Sequence, residues 1–121
     1  IRRLVEFTFD HHDRNVDFVR IVSIENIHYG EYVKQSPVIR QMSNVVLDTL
    51  GKTLRRGEQE GVFRPGIDVL DVHLLISSFC FYRVSNRHTF GEIFQIDLPD
   101  ESIKQRHREM ICESVLRYLQ A

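Results

Sequence analysis

No stretch of the sequence is long and apolar enough to cross a membrane. The longest apolar runs, such as Val69 to Ile76, are broken by Asp71 and His73, well short of the ~20 residues a helical span needs. An excess of charge of one sign is also missing. Sixteen basic against seventeen acidic side chains leave a formal charge of −1, so the chain has no surplus of cations to neutralise a nucleic-acid backbone. Cysteine is scarce. Cys80 and Cys112 stand apart with no C-x-x-C spacing, and their apolar neighbours mark them as buried free thiols of a reducing, cytoplasmic compartment. Three prolines and six glycines are too few for a disordered or low-complexity chain. With 121 residues and no internal repeat or linker, one domain is expected. The sequence opens at Ile1 without a methionine or a signal-like leader, and a preceding segment is therefore expected.

The usual signatures of catalysis are missing too. There is no Gly-x-Ser-x-Gly elbow, phosphate loop or Gly-x-Gly-x-x-Gly turn, which argues against an enzyme. His28, His73, His88 and His107 show neither H-E-x-x-H nor i, i+4 pairing, so no zinc site is expected. Asp10-His11-His12-Asp13 holds metal-capable groups, but four adjacent residues on a helix point to different sides. A solvated helix end is the expectation there, with no metal and no cofactor. Cys80 is no better a nucleophile, because apolar surroundings raise a thiol pKa.

What the chain does have is apolar residues recurring at three and four, which predicts an all-α fold of five helical segments. The first, Ile1 to about His12, lines up Ile1, Leu4, Val5 and Phe9 and reads as the tail of a longer helix. The second runs from Arg14-Asn15 to about Lys34, with Phe18, Ile21, Val22, Tyr29, Tyr32 and Val33 on one arc. Ser36-Pro37 supplies a cap and a first-turn proline for the third, which reaches about Glu60. Gly57 and Gly61 on its apolar line suggest close approach of another helix, and Gly61 also suits a left-handed stop. Asp68 caps a fourth segment running to about Phe94, which is apolar on both faces, and Asp97-Leu98-Pro99-Asp100 caps a fifth from Glu101 to Leu119. A two-faced apolar helix in a small domain calls for a partner chain, so a homodimer through the fourth and fifth segments is expected.

Leu54-x-x-Gly57-x-x-x-Gly61-Val62-Phe63-Arg64, a turn, Asp68 and then the two-faced helix together resemble the C-terminal half of TetR-family transcriptional regulators. The stretches Ser23-Ile24-Glu25-Asn26 and Phe81-Tyr82-x-x-Ser85-Asn86-Arg87-His88-Thr89 look like one subgroup of that family. The resemblance implies a five-helix effector-binding domain whose last two helices form a dimeric four-helix bundle. It also implies a small organic effector and a repressor role. Operator DNA would be bound only through an N-terminal helix-turn-helix that this sequence does not contain.

The candidate pocket lies among the second, third and fourth segments, with Glu25, Asn26, Tyr29, Phe79, Tyr82, Arg83 and Asn86 as candidate ligand-binding residues. Glu25 falls inside an apolar arc, where a charge must be paired or used. It reads either as a pocket acid or as one side of a structural pair, with Arg83 a possible partner. Asn86 reads either as a ligand contact or as a helix-ending residue. Tyr29 and Tyr82 combine an apolar ring with one polar tip, which suits a pocket wall or a core. Two other readings stay open: a helical dimerisation module without a ligand, and a small helical enzyme.

Overall fold

Local sequence chemistry sets three of the helix starts, two by a side-chain cap and one by a first-turn proline. In the computed structural model, which describes residues 1–121, Asp68 accepts from the Leu70 and Asp71 amides at 2.7 and 3.3 Å, and Asp100 accepts from the Ile103 amide at 3.2 Å. Such caps satisfy amide donors that a helix cannot pair internally. Pro37 sits in the first turn after Ser36, where its missing N–H costs nothing. The result is all-α: α1 (Arg2–Arg14), α2 (Val16–Ile27), a single 3₁₀ turn (Val33–Gln35), α3 (Pro37–Gln59), α4 (Val69–Ser85), α5 (Arg87–Phe94) and α6 (Glu101–Leu119). The one β feature is an isolated bridge between Phe63 and Gln120.

Two of the five expected segments are shorter than their apolar periodicity predicts. The second ends at Ile27 because Tyr29 and Gly30 take φ of 60° and 70°, and the Gly30 amide folds back to the Glu25 carbonyl at 2.9 Å. Left-handed backbone of this kind terminates a helix. The fourth breaks at Asn86, giving six helices instead of five. Ser85 Oγ donates to Asn86 Oδ1 at 2.6 Å, a local bond that competes with helix continuation.

α4 is the central element, in contact with α1, α2, α3, α5 and α6. Its inner arc of Val72, Ile76 and Cys80 packs with Val5 and Phe9 of α1, Leu50 and Leu54 of α3, and Ile111, Cys112, Val115 and Leu119 of α6. Both cysteines are free thiols in this core, and burial pushes the Cys80 thiol up to about 12.

Gly57 corrects the expectation of helix-on-helix approach. A Cβ there would lie 2.0 Å from Cδ2 of Phe63, so it is the ring of the following turn that needs the space. Gly61 has φ 71°, the expected left-handed stop. The Val62-Phe63-Arg64 turn also holds the end of α6: the Arg64 amide donates to the Leu119 carbonyl at 2.8 Å, and Arg64 Nε donates to the Tyr118 carbonyl at 2.7 Å.

The segment Asp10-His11-His12-Asp13 is not the solvated helix end its composition suggests. Asp10 takes a two-pronged contact from Arg108 at 3.0 Å, and Asp13 pairs with Lys104 at 3.2 Å. With Arg2–Glu109 at 3.0 Å and Glu6–Arg108 at 3.5 Å, these pairs form a ladder along the α1–α6 seam. No group of three His, Cys, Asp or Glu is placed to hold a metal ion.

Candidate functional site

Only 17 of 121 residues are buried, so much apolar surface stays uncovered, and its location decides where partners can bind. One such surface is the trough between α4 and α6. It has a volume of about 430 Å³ and an apolar lining of Leu75, Phe79, Tyr82, Met110 and Ile111, with Ser78 and Ser114. Leu74, 66% exposed, continues it along α4. The second apolar face of α4 is thus open to solvent in the single chain.

The second feature is a groove of about 310 Å³ between α2 and the α4–α5 junction. Val16, Ile24 and Val84 give it apolar walls, while Arg20, Ser23, Ser85, Arg87 and His88 give it a polar rim. α2 supplies Val16, Arg20, Ser23 and Ile24 because its buried edge, centred on Val19, leans on α4, which supplies Val84 and Ser85. α5 supplies Arg87 and His88 because the break at Asn86 turns the chain at this point. The two stretches of subgroup resemblance, around Ser23-Ile24 and around Ser85 to His88, meet across this groove.

The seven predicted site residues fall at four places. Glu25, Asn26 and Tyr29 lie at the end of α2 and in the turn after it. Glu25 Oε1 accepts from the Tyr32 and Val33 amides at 2.8 and 3.2 Å, so its partner is the backbone of the 3₁₀ turn and not Arg83. Asn26 Nδ2 donates to the Val22 carbonyl at 2.9 Å, and Tyr29 is 88% exposed. Phe79 and Tyr82 face the α4–α6 trough, where Phe79 meets the His107 ring edge-on at 6.0 Å.

Arg83 lies in the interior, and Asn86 forms the α4–α5 junction, ending one helix and preceding the next. Arg83 Nη2 donates to the Leu98 carbonyl at 2.8 Å, Nε donates to His107 Nδ1 at 3.0 Å, and the guanidinium lies 4.7 Å from the centre of the Phe9 ring. Nε always carries a proton, so His107 must accept through Nδ1 and keep its own proton on Nε2. Burial, then the Arg83 and Arg106 cations, hold the His107 pKa below its ordinary value. Burial likewise pulls the Arg83 pKa down from its usual range.

Helical periodicity placed Phe79, Tyr82, Arg83 and Asn86 on one arc of α4, but it does not say which helix covers that arc. In the structure it is α6. Arg20, Ser23, Arg87 and His88 are not among the candidates that the sequence points to; their signal in the sequence is the Arg87-His88 step directly after the Ser85-Asn86 pair.

Comparison with known proteins shows the family to which this arrangement of helices belongs. The family described as "Tetracyclin repressor-like, C-terminal domain" matches residues 1–115, and the chain belongs to it. The sequence is also 33% identical over 119 residues to the HTH-type transcriptional repressor NicS of Pseudomonas putida. That match covers 98% of this chain and 56% of the relative, so the chain spans little more than half of that protein's length. No helix is long and apolar enough to cross a membrane.

Proposed function

We propose that this chain is the effector-sensing and dimerising part of a cytoplasmic transcriptional repressor that releases operator DNA when a small organic molecule binds. In this reading contact with DNA belongs to a helix-turn-helix segment outside these residues, which fits the near-neutral charge of the chain. The observation that carries the reading is the apolar trough between α4 and α6, left open while the groove at α2 stays separate from it. Two copies pairing through their α4 and α6 helices would close the trough as a four-helix bundle with two-fold symmetry. Phe79 and Tyr82, pocket candidates by their sequence pattern, then belong to the partner face. The effector would occupy the groove between α2 and the α4–α5 junction, with Asn86 as the hinge beside it and Glu25 bracing the turn that leads to α3. Effector binding acts on DNA only if it favours one of two arrangements of α1, the helix nearest the DNA-reading segment.

Sedimentation equilibrium across the micromolar range tests the pairing. The chain is expected to be dimeric, and Leu74→Glu with Met110→Glu is expected to make it monomeric, since both side chains are exposed in the single chain. A wild-type chain that stays monomeric at every concentration refutes the reading.

A further inference from the structure

The proposed effector groove has a lopsided charge. Arg20 approaches from α2, and Arg87 and His88 from the start of α5, with no acidic residue among the lining side chains. None of the three forms an ion pair or a side-chain hydrogen bond. The acids beside them lie in neighbouring hollows: Asp13, near Arg87, is taken by Lys104 at 3.2 Å, and Glu92 and Asp97 line another hollow that Arg87 and His88 also border. Two guanidinium groups and an imidazole thus share one groove whose lining holds no acid.

Their position in α5 points the same way. Arg87 and His88 occupy a first turn that has no acidic residue and no side-chain cap, where free amides and the helix dipole already make the potential positive. The one candidate cap, Asn86 Oδ1, is taken by the Ser85 hydroxyl at 2.6 Å. An anion in the groove would be placed favourably with respect to this first turn.

We infer that the groove binds a small organic carboxylate, with the carboxylate held by Arg20, Arg87 and His88 and the apolar body resting on Val16, Ile24 and Val84. Guanidinium groups meet carboxylates in directed, charge-assisted pairs, and Ser23 and Ser85 add hydroxyls at the rim. The volume of about 310 Å³ is at the small end of ligand clefts, which favours a single ring or a short chain. This inference rests on the proposed sensing role and names its ligand class.

The test is an amide-resolved NMR titration of the 121-residue chain with benzoate, phenylacetate and hexanoate, each beside its primary amide, and with inorganic phosphate. At least one acid is expected to shift the Arg20, Ser23, Ser85 and His88 amides and to bind roughly tenfold or more tightly than its amide. Arg20→Gln with Arg87→Gln should abolish that preference, while Arg20→Lys with Arg87→Lys retains much of it, both with unchanged far-UV circular dichroism. An amide that binds as tightly as its acid, or an acid whose affinity survives the glutamine pair, overturns the carboxylate assignment but leaves a small-molecule sensor standing. Phosphate binding as tightly as every acid overturns the role given to the apolar walls. If none of the seven compounds moves these amides, the groove is not the site, and the sensing role loses its location as well.

Discussion

Replacing Gly57 by alanine tests whether the turn after α3 is held by a ring seated on a bare backbone. In an open helix interior the change would stabilise by up to ~1 kcal/mol, since alanine is the better helix former. Here the new Cβ would lie 2.0, 2.5 and 2.7 Å from Cδ2, Cε2 and Cγ of Phe63. These are atoms of a rigid ring, so the ring must leave. Truncating a fully buried phenylalanine costs about 3–5 kcal/mol, and the half-buried Phe63 should forfeit roughly half of that. The bonds from the Val62 and Phe63 amides to the Gly57 carbonyl, at 2.9 and 3.0 Å, would be strained together with the Arg64–Leu119 bond.

The expected net effect of Gly57→Ala is a loss of about 1–2 kcal/mol, or a thermal midpoint lower by roughly 4–8 °C. Urea unfolding followed by circular dichroism measures it, at one fixed protein concentration because dimerisation would otherwise shift the midpoint. In a Phe63→Ala background the clash is gone, so the same substitution should be neutral or mildly stabilising. Gly57→Ala that stabilises the wild-type chain, or that costs the same with and without the ring, refutes the reasoning.

Arg83→Lys should cost about 1–3 kcal/mol, because one ammonium cannot reproduce the forked contact to the Leu98 carbonyl and His107 Nδ1; an unchanged urea midpoint would contradict this. His12 and His107 both have pKa values lowered from 6.5, with burial the largest cause. The unfolded chain therefore binds more protons near that pH, and the stability these groups confer is present above about 6.5 and lost as pH falls towards their folded values. Midpoints measured at pH 7.5 and 5.5 should show the fall, and His107→Asn, whose side-chain oxygen can still accept from Arg83, should reduce it; an equal pH dependence in both proteins counts against the assignment. Glu25→Ala should speed hydrogen exchange at the Tyr32 and Val33 amides and leave the α4 core amides unchanged, whereas unaltered exchange at those two positions would mean the carboxylate does not brace the turn.

The sequence alone was enough for the helical class, the first-turn proline at Pro37, the caps at Asp68 and Asp100, the stop at Gly61 and the two apolar faces of α4, whereas Ser36 makes no capping bond. All of these depend on residues a few positions apart, where periodicity and backbone chemistry act directly. The helix ends at Ile27 and Asn86 were less legible, because an apolar arc continues past both while left-handed backbone and a Ser-Asn bond end the helix. Only the tertiary structure decided which helix covers which arc. It gave Phe79 and Tyr82 to the α4–α6 trough, gave Arg83 to His107 and Leu98, tied Glu25 to the backbone of its own turn, and joined Asp10 and Asp13 to α6. It also brought Arg20 together with Arg87 and His88. Those pairings link residues far apart in the chain, and a helical wheel describes one helix at a time: it gives the direction of a side chain but not the neighbour that meets it.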